Sequence, residues 1–402
     1  MSKKIIFRKV FVMDFEKLAP ASPEAVELRR DLHRHPELSG KEDRTAGLVA
    51  AWLEGHGLKV FRAPGTGRSL IGVLDTGRPG RTLALRADMD ALPIEENSCN
   101  LKSKKLLVSE NAGAAHMCGH DFHTAGMLEA AARLTADKAH LNGRVIFCFE
   151  SGEEMGMGDD VRVLLAEQGG ADAVFGIHVQ ADYPVGTAVI LDGSCTAGCE
   201  TFRIDVTGKS AHGATPHLGL DPLNCAAQIL VASSSIISRR INSRDAAVIT
   251  PCQIHGGSTW NRIPDDCFME GSTRFFDEEV GRTLHELLDQ TAAGIASSCG
   301  CTAKMSWRNL TLPVVNDPKL VELARSAAKS AGIDLIAGQP WMASETYARF
   351  RAIAPVVMAF VGCANDQTGC GAPQHSDKFE ADERCLSVSA ALTAEFARRF
   401  LA

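Results

Sequence analysis

No stretch of the 402-residue chain approaches the ~20 consecutive apolar residues that a spanning helix needs, so a membrane protein is not expected. Met1 to Val12 mixes Lys3, Lys4, Arg8 and Lys9 with apolar residues. It lacks a long apolar core and a small-residue cleavage site, so no signal peptide is read there. Positive charge is not in excess: 42 Lys and Arg face 49 Asp and Glu, a formal net charge of -7. Nucleic acid, which usually needs a basic face, is therefore not the expected partner. Repeats and low-complexity tracts are absent, and 45% hydrophobic with 23% charged residues excludes disorder and collagen-like structure. Zinc-ribbon cysteine spacing is also missing. The thirteen cysteines are odd in number and scattered along a long chain, which speaks against a disulfide framework and for a reducing cytoplasm. Most of them read as small buried apolar residues. Cys118 stands apart because of its neighbours.

At roughly 150 residues per domain, the length suits two to three domains, or one large domain carrying an insertion. Alternating helical and strand patterns point to α/β architecture. Ser22-Pro23-Glu24 starts a helix with Leu28 and Leu32 on one face, and Ser39-Gly40-Lys41-Glu42 reads as a capping box for a second. Leu70 to Leu74 and Thr82 to Leu85 are short apolar strands joined by the turn Gly77-Arg78-Pro79-Gly80, so a hairpin is expected. Val145 to Phe149, Ala173 to Ile177 and Val356 to Phe360 are apolar without alternation, as in strands covered on both faces. Between residues 196 and 310 the texture changes. Phe202-Arg203-Ile204-Asp205-Val206 alternates, a helix carries Leu223, Ala226, Ala227, Leu230 and Val231 on one side, Phe268 to Phe275 alternates again, and Leu284, Leu287 and Leu288 mark another helix. The reading is an α/β domain of residues 1–195 and 311–402, interrupted by an inserted α+β domain of residues 196–310.

Four segments concentrate metal-type side chains: His116-Met117-Cys118-Gly119-His120-Asp121-Phe122-His123, then Glu153-Glu154, then His178, then His375 in the loop Pro373-Gln374-His375-Ser376. The second and third follow buried strands, and open α/β sheets bind ligands outside the carboxyl ends of their strands. Thiolate, imidazole and carboxylate together suit a divalent metal with one position open for water. The glycine between Cys118 and His120 lets the backbone bend so that both converge, and Glu154, His178 and His375 can complete one or two ions. Of two adjacent glutamates, one can bind metal while the other takes a proton from water. Two other readings stand beside this one: a cysteine hydrolase using Cys118 with His120 or His123, and a binding protein without catalysis.

The longer motifs are Leu32-His33-Arg34-His35-Pro36-Glu37-Leu38, Leu85-Arg86-Ala87-Asp88-Met89-Asp90-Ala91-Leu92-Pro93, His116 to Asp121, Ser210-Ala211-His212-Gly213-Ala214-Thr215-Pro216-His217, Asn261-Arg262-Ile263-Pro264-Asp265 and Gly271-Ser272-Thr273-Arg274. On these the chain resembles, over nearly its whole length, the amidohydrolase branch of the zinc aminopeptidase-like metallopeptidases, which includes carboxypeptidases, aminoacylases, hippurate hydrolases and indoleacetyl-amino-acid hydrolases. The resemblance implies a mostly parallel-sheet metallohydrolase catalytic domain with an inserted lid and dimerisation domain. It implies Cys118, His120, Glu154, His178 and His375 as metal ligands and Glu153 as general base. It further implies that His212 of the lid stabilises the oxyanion in a neighbouring protomer, and that Asn261 and Arg274 touch substrate. Asp88, Asp90 and Asp121 are expected to orient ligands. The cofactor is expected to be one or two divalent ions per subunit, zinc or manganese, with cobalt or nickel as alternatives. The expected partners are a small-molecule substrate and a second copy of the chain.

Three segments depart from many relatives. Glu150-Ser151-Gly152 stands where Pro-Ala precedes the glutamate pair, Glu345-Thr346-Tyr347 stands for Glu-Asp-Phe, and Asp377 follows Ser376 where proline is usual. The metal-binding residue types survive, and the wall residues differ. The expected reaction is metal-dependent hydrolysis of a C–N bond, the amide of an N-acyl amino acid or similar small carboxylate. The alternative with the same site is hydrolytic deamination of an aromatic amine of the nitroanthranilate type.

Overall fold

The computed structural model describes residues 18–402, so the leader reading of Met1 to Val12 lies outside the described residues. They form two compact units: one of Asn316–Gly338, Phe350–Ala402 and the described residues up to Asp192, the other of Gly193–Val315 and Gln339–Arg349. Among the described residues, no helix is long and apolar enough to cross a membrane.

The first unit is built on an eight-stranded sheet in the order Lys59–Arg62, Leu70–Asp75, Arg144–Glu150, Thr82–Asp88, Ala173–Pro184, Val356–Ala364, Thr187–Val189, Asp334–Leu335. The four central strands are mutually parallel. Their near-continuous burial explains the unbroken apolar runs. The expected hairpin does not form. Leu70–Asp75 pairs antiparallel with Arg144–Glu150, which lies between it and Thr82–Asp88. The Val145 to Phe149 run is apolar on both faces and takes the central place by pairing on both edges. The short turn carries the chain past that strand's place to the next-but-one position in the same sheet.

Parallel neighbours need a crossover, and His120–Ala136 supplies it between Thr82–Asp88 and Arg144–Glu150. This helix packs on the sheet and against helices Pro23–Arg34 and Cys385–Phe400. Almost its whole circumference is buried, which is why it shows no apolar stripe. Ser22 caps Pro23–Arg34 as expected, accepting from the Ala25 N–H at 3.1 Å. The second capping box is not realised. Helix Asp43–Gly55 has Glu42 at its N-cap with no side-chain cap, because the Ser39 hydroxyl donates to Asp90 at 2.6 Å. Glu42 is buried and accepts from Ser151 Oγ at 2.7 Å and Gly152 N at 2.8 Å. Both residues serve the site instead of the helix end.

The second unit holds a four-stranded antiparallel sheet in the order Ala247–Gly256, Asp266–Phe275, Gly198–Thr207, Thr302–Thr311. Phe202, Ile204 and Val206 point into its core while Arg203 and Asp205 stay half-exposed, the expected alternation. Helices Pro222–Arg240 and Glu278–Ser298 pack on this sheet and on each other. On Pro222–Arg240 the buried stripe is Cys225, Ala226, Ile229, Ser233 and Ile236. The stripe read through Ala227, Leu230 and Val231 is therefore corrected: Ala227 is exposed and Val231 is 68% exposed. Apolar residues lie on both flanks of this helix, and periodicity alone does not say which flank meets the sheet.

Candidate metal centre

Asp88 ends the strand Thr82–Asp88, and Asp90 follows two residues later. Pairing of that strand with Ala173–Pro184 stops at Arg86 and Gly176. The two strands part there, and His178 stands just beyond. It lies within the longer strand, not after it as its apolar run suggested, because pairing to Val356–Ala364 continues through Phe360 and His178. The resulting crevice at strand ends is where α/β sheets bind ligands.

The segment before helix His120–Ala136 enters through Gly119, whose φ of 93° is left-handed. A side chain there would also bring its Cβ to 2.3 Å from Val179 Cγ2, so glycine is required twice over. The turn sets Cys118 and His120 beside His178, with the three ligand-type atoms all within 4.8 Å of one another. Cys118 Sγ lies 3.6 Å from His178 Nε2. The Nδ1–H of His178 donates to the Val179 carbonyl at 2.6 Å, so Nε2 carries the lone pair on the Cys118 side. The cysteine-hydrolase pairing is not formed with His123. The Nδ1–H of His123 donates to Asp88 at 2.6 Å, and its Nε2 accepts from the Val179 N–H at 2.9 Å. Both ring nitrogens are thus committed to holding the crevice walls.

Glu153 and Glu154 lie on the short turn Glu153–Met155 that follows strand Arg144–Glu150. The Glu154 carboxylate reaches His375 Nε2 at 3.3 Å and His120 Nε2 at 3.8 Å. His375 adopts a φ of 64°, uncommon for a residue with a side chain, and its N–H is tied to the Met117 carbonyl at 2.8 Å. Such backbone strain persists where surrounding contacts over-determine it. All five candidate ligands therefore come together, with Glu153 also grouped with His120 and Glu154.

His120 Nε2 and Glu154 Oε1 are both buried without a hydrogen-bond partner. Buried polar atoms are rarely left so. Three imidazoles, a carboxylate oxygen and a thiol sulfur around one space fit a divalent cation, and the mixed donor set suits zinc-type ions. The supporting residues agree. Asp90 accepts from His120 Nδ1 at 3.0 Å and from the Glu154 N–H at 3.0 Å, so one carboxylate orients two candidate ligands. Asp88 is held by His123 and by the buried Arg86 guanidinium at 2.6 Å, which also binds Glu150 at 2.6 Å. Asp121 differs from its expected role: it binds Arg29 at 3.0 Å and His33 at 2.8 Å.

The electrostatics are those of an anionic pocket. Burial opposes ionisation of Asp88, yet His120, Arg86 and His123 overcome it and hold that carboxyl well below the usual carboxylate range. Burial also opposes the charge on His120, and Asp88, Cys118 and Asp90 outweigh it, raising that imidazole's pKa well above the ordinary value. Burial, reinforced by His123, drives His178 well down and keeps it neutral, the form that ligates metal. His116 is pushed down to about 4 by burial; it is not grouped with the candidate ligands.

The residues expected to contact substrate all fall in the second unit. His212 lies on the two-residue strand Ala211–His212, paired with Arg262–Ile263, and the Gly213 N–H donates to the Asn261 carbonyl at 2.8 Å. His212 and Asn261 thus share one small ribbon. Arg274 sits opposite Cys199 in the four-stranded sheet, and its guanidinium bonds the Cys199 thiol. Sequence reading gave Arg86 no role, gave Ser39 and Glu42 only a capping role, and weighed His123 only as a metal-type residue or a partner of Cys118. Arg86 had a usable signal, a charge inside an otherwise apolar strand. Ser39 and Glu42 had none, because a capping pattern accounted for them.

A sequence profile of peptidase family M20/M25/M40 matches residues 84–399. The chain is 34% identical over 384 residues to an N-acetyl-L-cysteine deacetylase of Bacillus subtilis (strain 168), covering 96% of this chain and 90% of the relative. It is 31% identical over 397 residues to the IAA-amino acid hydrolase ILR1-like 2 of Arabidopsis thaliana, covering 97% and 88%. Among solved structures, it is similar to the Bacillus subtilis YXEP protein, described as a dinuclear metal-binding peptidase, with a TM-score of 0.82 and 30% identity over 94% of this chain and 98% of the other.

Proposed function

Because the chain belongs to peptidase family M20/M25/M40 and is thereby a hydrolase, we propose that it cleaves the amide C–N bond of an N-acyl amino acid or a similar small carboxylate. One observation carries the reading: His120 Nε2 and Glu154 Oε1, buried without a hydrogen-bond partner and 3.8 Å apart, in the crevice where Cys118, His178 and His375 meet. In this reading Cys118, His120, Glu154, His178 and His375 hold one or two divalent ions, zinc or manganese. A cation there supplies a Lewis acid that polarises the carbonyl and lowers the pKa of water.

The remaining work belongs to the chain. Glu153, buried on its turn, takes a proton from the attacking water and passes it to the leaving nitrogen. Asp90 fixes the His120 ring and the Glu154 backbone together, so the ligand geometry survives turnover. The unit of Gly193–Val315 acts as lid and dimerisation domain. His212, supplied by a second copy of the chain, donates to the developing oxyanion, while Asn261 and Arg274 bind the substrate carboxylate end. The thirteen free cysteines suit a cytoplasmic setting.

A second reading rests on the buried Thr346 and Tyr347, which stand where many relatives carry Asp-Phe. That departure from the relatives' sequence, with the metal-type residues kept, suits hydrolytic deamination of an aromatic amine. The deciding experiment assays purified, metal-analysed enzyme against N-acyl amino acids and aminobenzoates, following carboxylate release and ammonia separately. Acyl amino acid turnover, lost on chelation and restored by divalent metal, supports the first reading. Ammonia release alone replaces it with the second, and activity indifferent to chelation removes both.

A further inference from the structure

Three thiols that the metal centre does not use meet in the second unit. Helix Glu278–Ser298 ends in the pattern Cys299-Gly300-Cys301. Gly300 is left-handed at φ 70°, the Gly300 N–H bonds the Ser297 carbonyl at 3.1 Å, and the Cys301 N–H bonds the Ala296 carbonyl at 2.9 Å. This is a Schellman ending, which only a residue tolerant of positive φ closes cheaply. The turn delivers both flanking cysteines to the neighbouring helix Pro222–Arg240, where buried Cys225 and Cys301 lie in one packed cluster and the partly buried Cys299 packs against it.

The three are not equivalent. Cys225 is fully buried and Cys301 nearly so, whereas Cys299 is half-exposed. Burial, then the Cys299 and Cys301 thiols, push Cys225 up to about 12. One turn along the same helix, the Gln228 amide donates to Cys299 Sγ at 3.5 Å. Half-exposed Cys299 is the one of the three that a dissolved oxidant can reach. Cys267, the fourth thiol nearby, is engaged by the Pro222 carbonyl at 3.1 Å.

We propose that Cys225 and Cys299 form a reversible disulfide on exposure to hydrogen peroxide, making this helix pair a thiol modification site. Peroxide oxidises the reachable Cys299 to a sulfenic acid, and one water leaves. The Cys225 sulfur then attacks the Cys299 sulfur, and the sulfenic hydroxyl departs with the Cys225 proton as a second water. Two thiols are oxidised by two electrons, and one peroxide is reduced to two waters. The bond ties Pro222–Arg240 to the end of Glu278–Ser298, and a thiol reductant reverses it.

The test uses the full-length, metal-loaded protein, treated with peroxide, alkylated in denaturant and digested without reduction. Mass spectrometry is expected to show a linked peptide pair containing Cys225 and Cys299, about 2 Da below the sum of the reduced peptides and lost on reduction. The wild-type melting temperature should rise by several degrees on oxidation, and the Cys299→Ser protein should show neither link nor rise. Cys301→Ser should keep both. Complete alkylation of Cys225 after peroxide, or linkage of Cys225 to Cys301 in place of Cys299, overturns the proposal. These readouts do not depend on activity, so they stand apart from the metal centre.

Discussion

The two units place their candidate chemistry in opposite environments. In the first, Asp88, Asp90, His120 and His178 are all essentially buried, and His375 is the exposed member among the candidate ligands. In the second, His212 is exposed, and Asn261 and Arg274 are half-buried. Removal from water strengthens every charge interaction, so the first unit can displace proton affinities far from ordinary, as at Asp88 and His178. It must then pair most of its polar atoms through a network, and His120 Nε2 and Glu154 Oε1 are among the buried atoms left without a hydrogen-bond partner. The second unit's residues keep contact with water and are suited to meeting a substrate that comes and goes.

Substitutions can break or sharpen that contrast. The largest effect is expected from Glu153→Gln, which should lower kcat by about 10²–10⁴-fold, the range for a positioned general base. Its metal content, measured by elemental analysis, should match wild type; near-normal turnover would remove Glu153 from the role. Next, His212→Ala should cost about 10²–10³-fold in kcat with folding and metal content unchanged, as for loss of one oxyanion donor. An unchanged kcat would confine the chemistry to the first unit. Ile229→Ala, on the buried face of Pro222–Arg240, should lose about 2–5 kcal/mol in denaturant unfolding. Asp90→Asn keeps the shape but weakens the grip on His120, and should reduce metal affinity by about 10–100-fold in chelator competition. Unaltered affinity would show that burial alone orients the ligands. Smallest of all, Val231→Ser on the exposed flank should change monomer stability by no more than about 0.5 kcal/mol. A loss comparable to that of Ile229→Ala would restore the stripe first read from the sequence.

Much of the first unit was legible because its signals are local. Continuous apolar runs marked the central strands, Ser22-Pro23 marked a helix start, and Cys118-Gly119-His120 marked a turn of ligand types. What misled were patterns with two valid outcomes. Ser39 to Glu42 satisfies the capping rule, yet its hydroxyl and carboxylate bond elsewhere, to Asp90 and to the Ser151 and Gly152 turn. Leu70 to Leu85 satisfies the hairpin rule, yet a strand sixty residues later separates the two halves. Asp121 sits beside a candidate ligand in sequence, but helical geometry turns it to Arg29 and His33.

Composition and residue order alone decided that this chain folds as α/β with an insertion, and which side chains have the chemistry to hold a metal. Those properties follow from apolar periodicity and from donor atoms, which each residue carries wherever it goes. Only the folded chain decided which glutamate oxygen and which ring nitrogen face the same space, that His123 is spent on Asp88 and Val179, and which flank of Pro222–Arg240 meets the sheet. Such outcomes depend on distances of a few ångströms between residues remote in sequence, and those distances are fixed by the packing of whole elements.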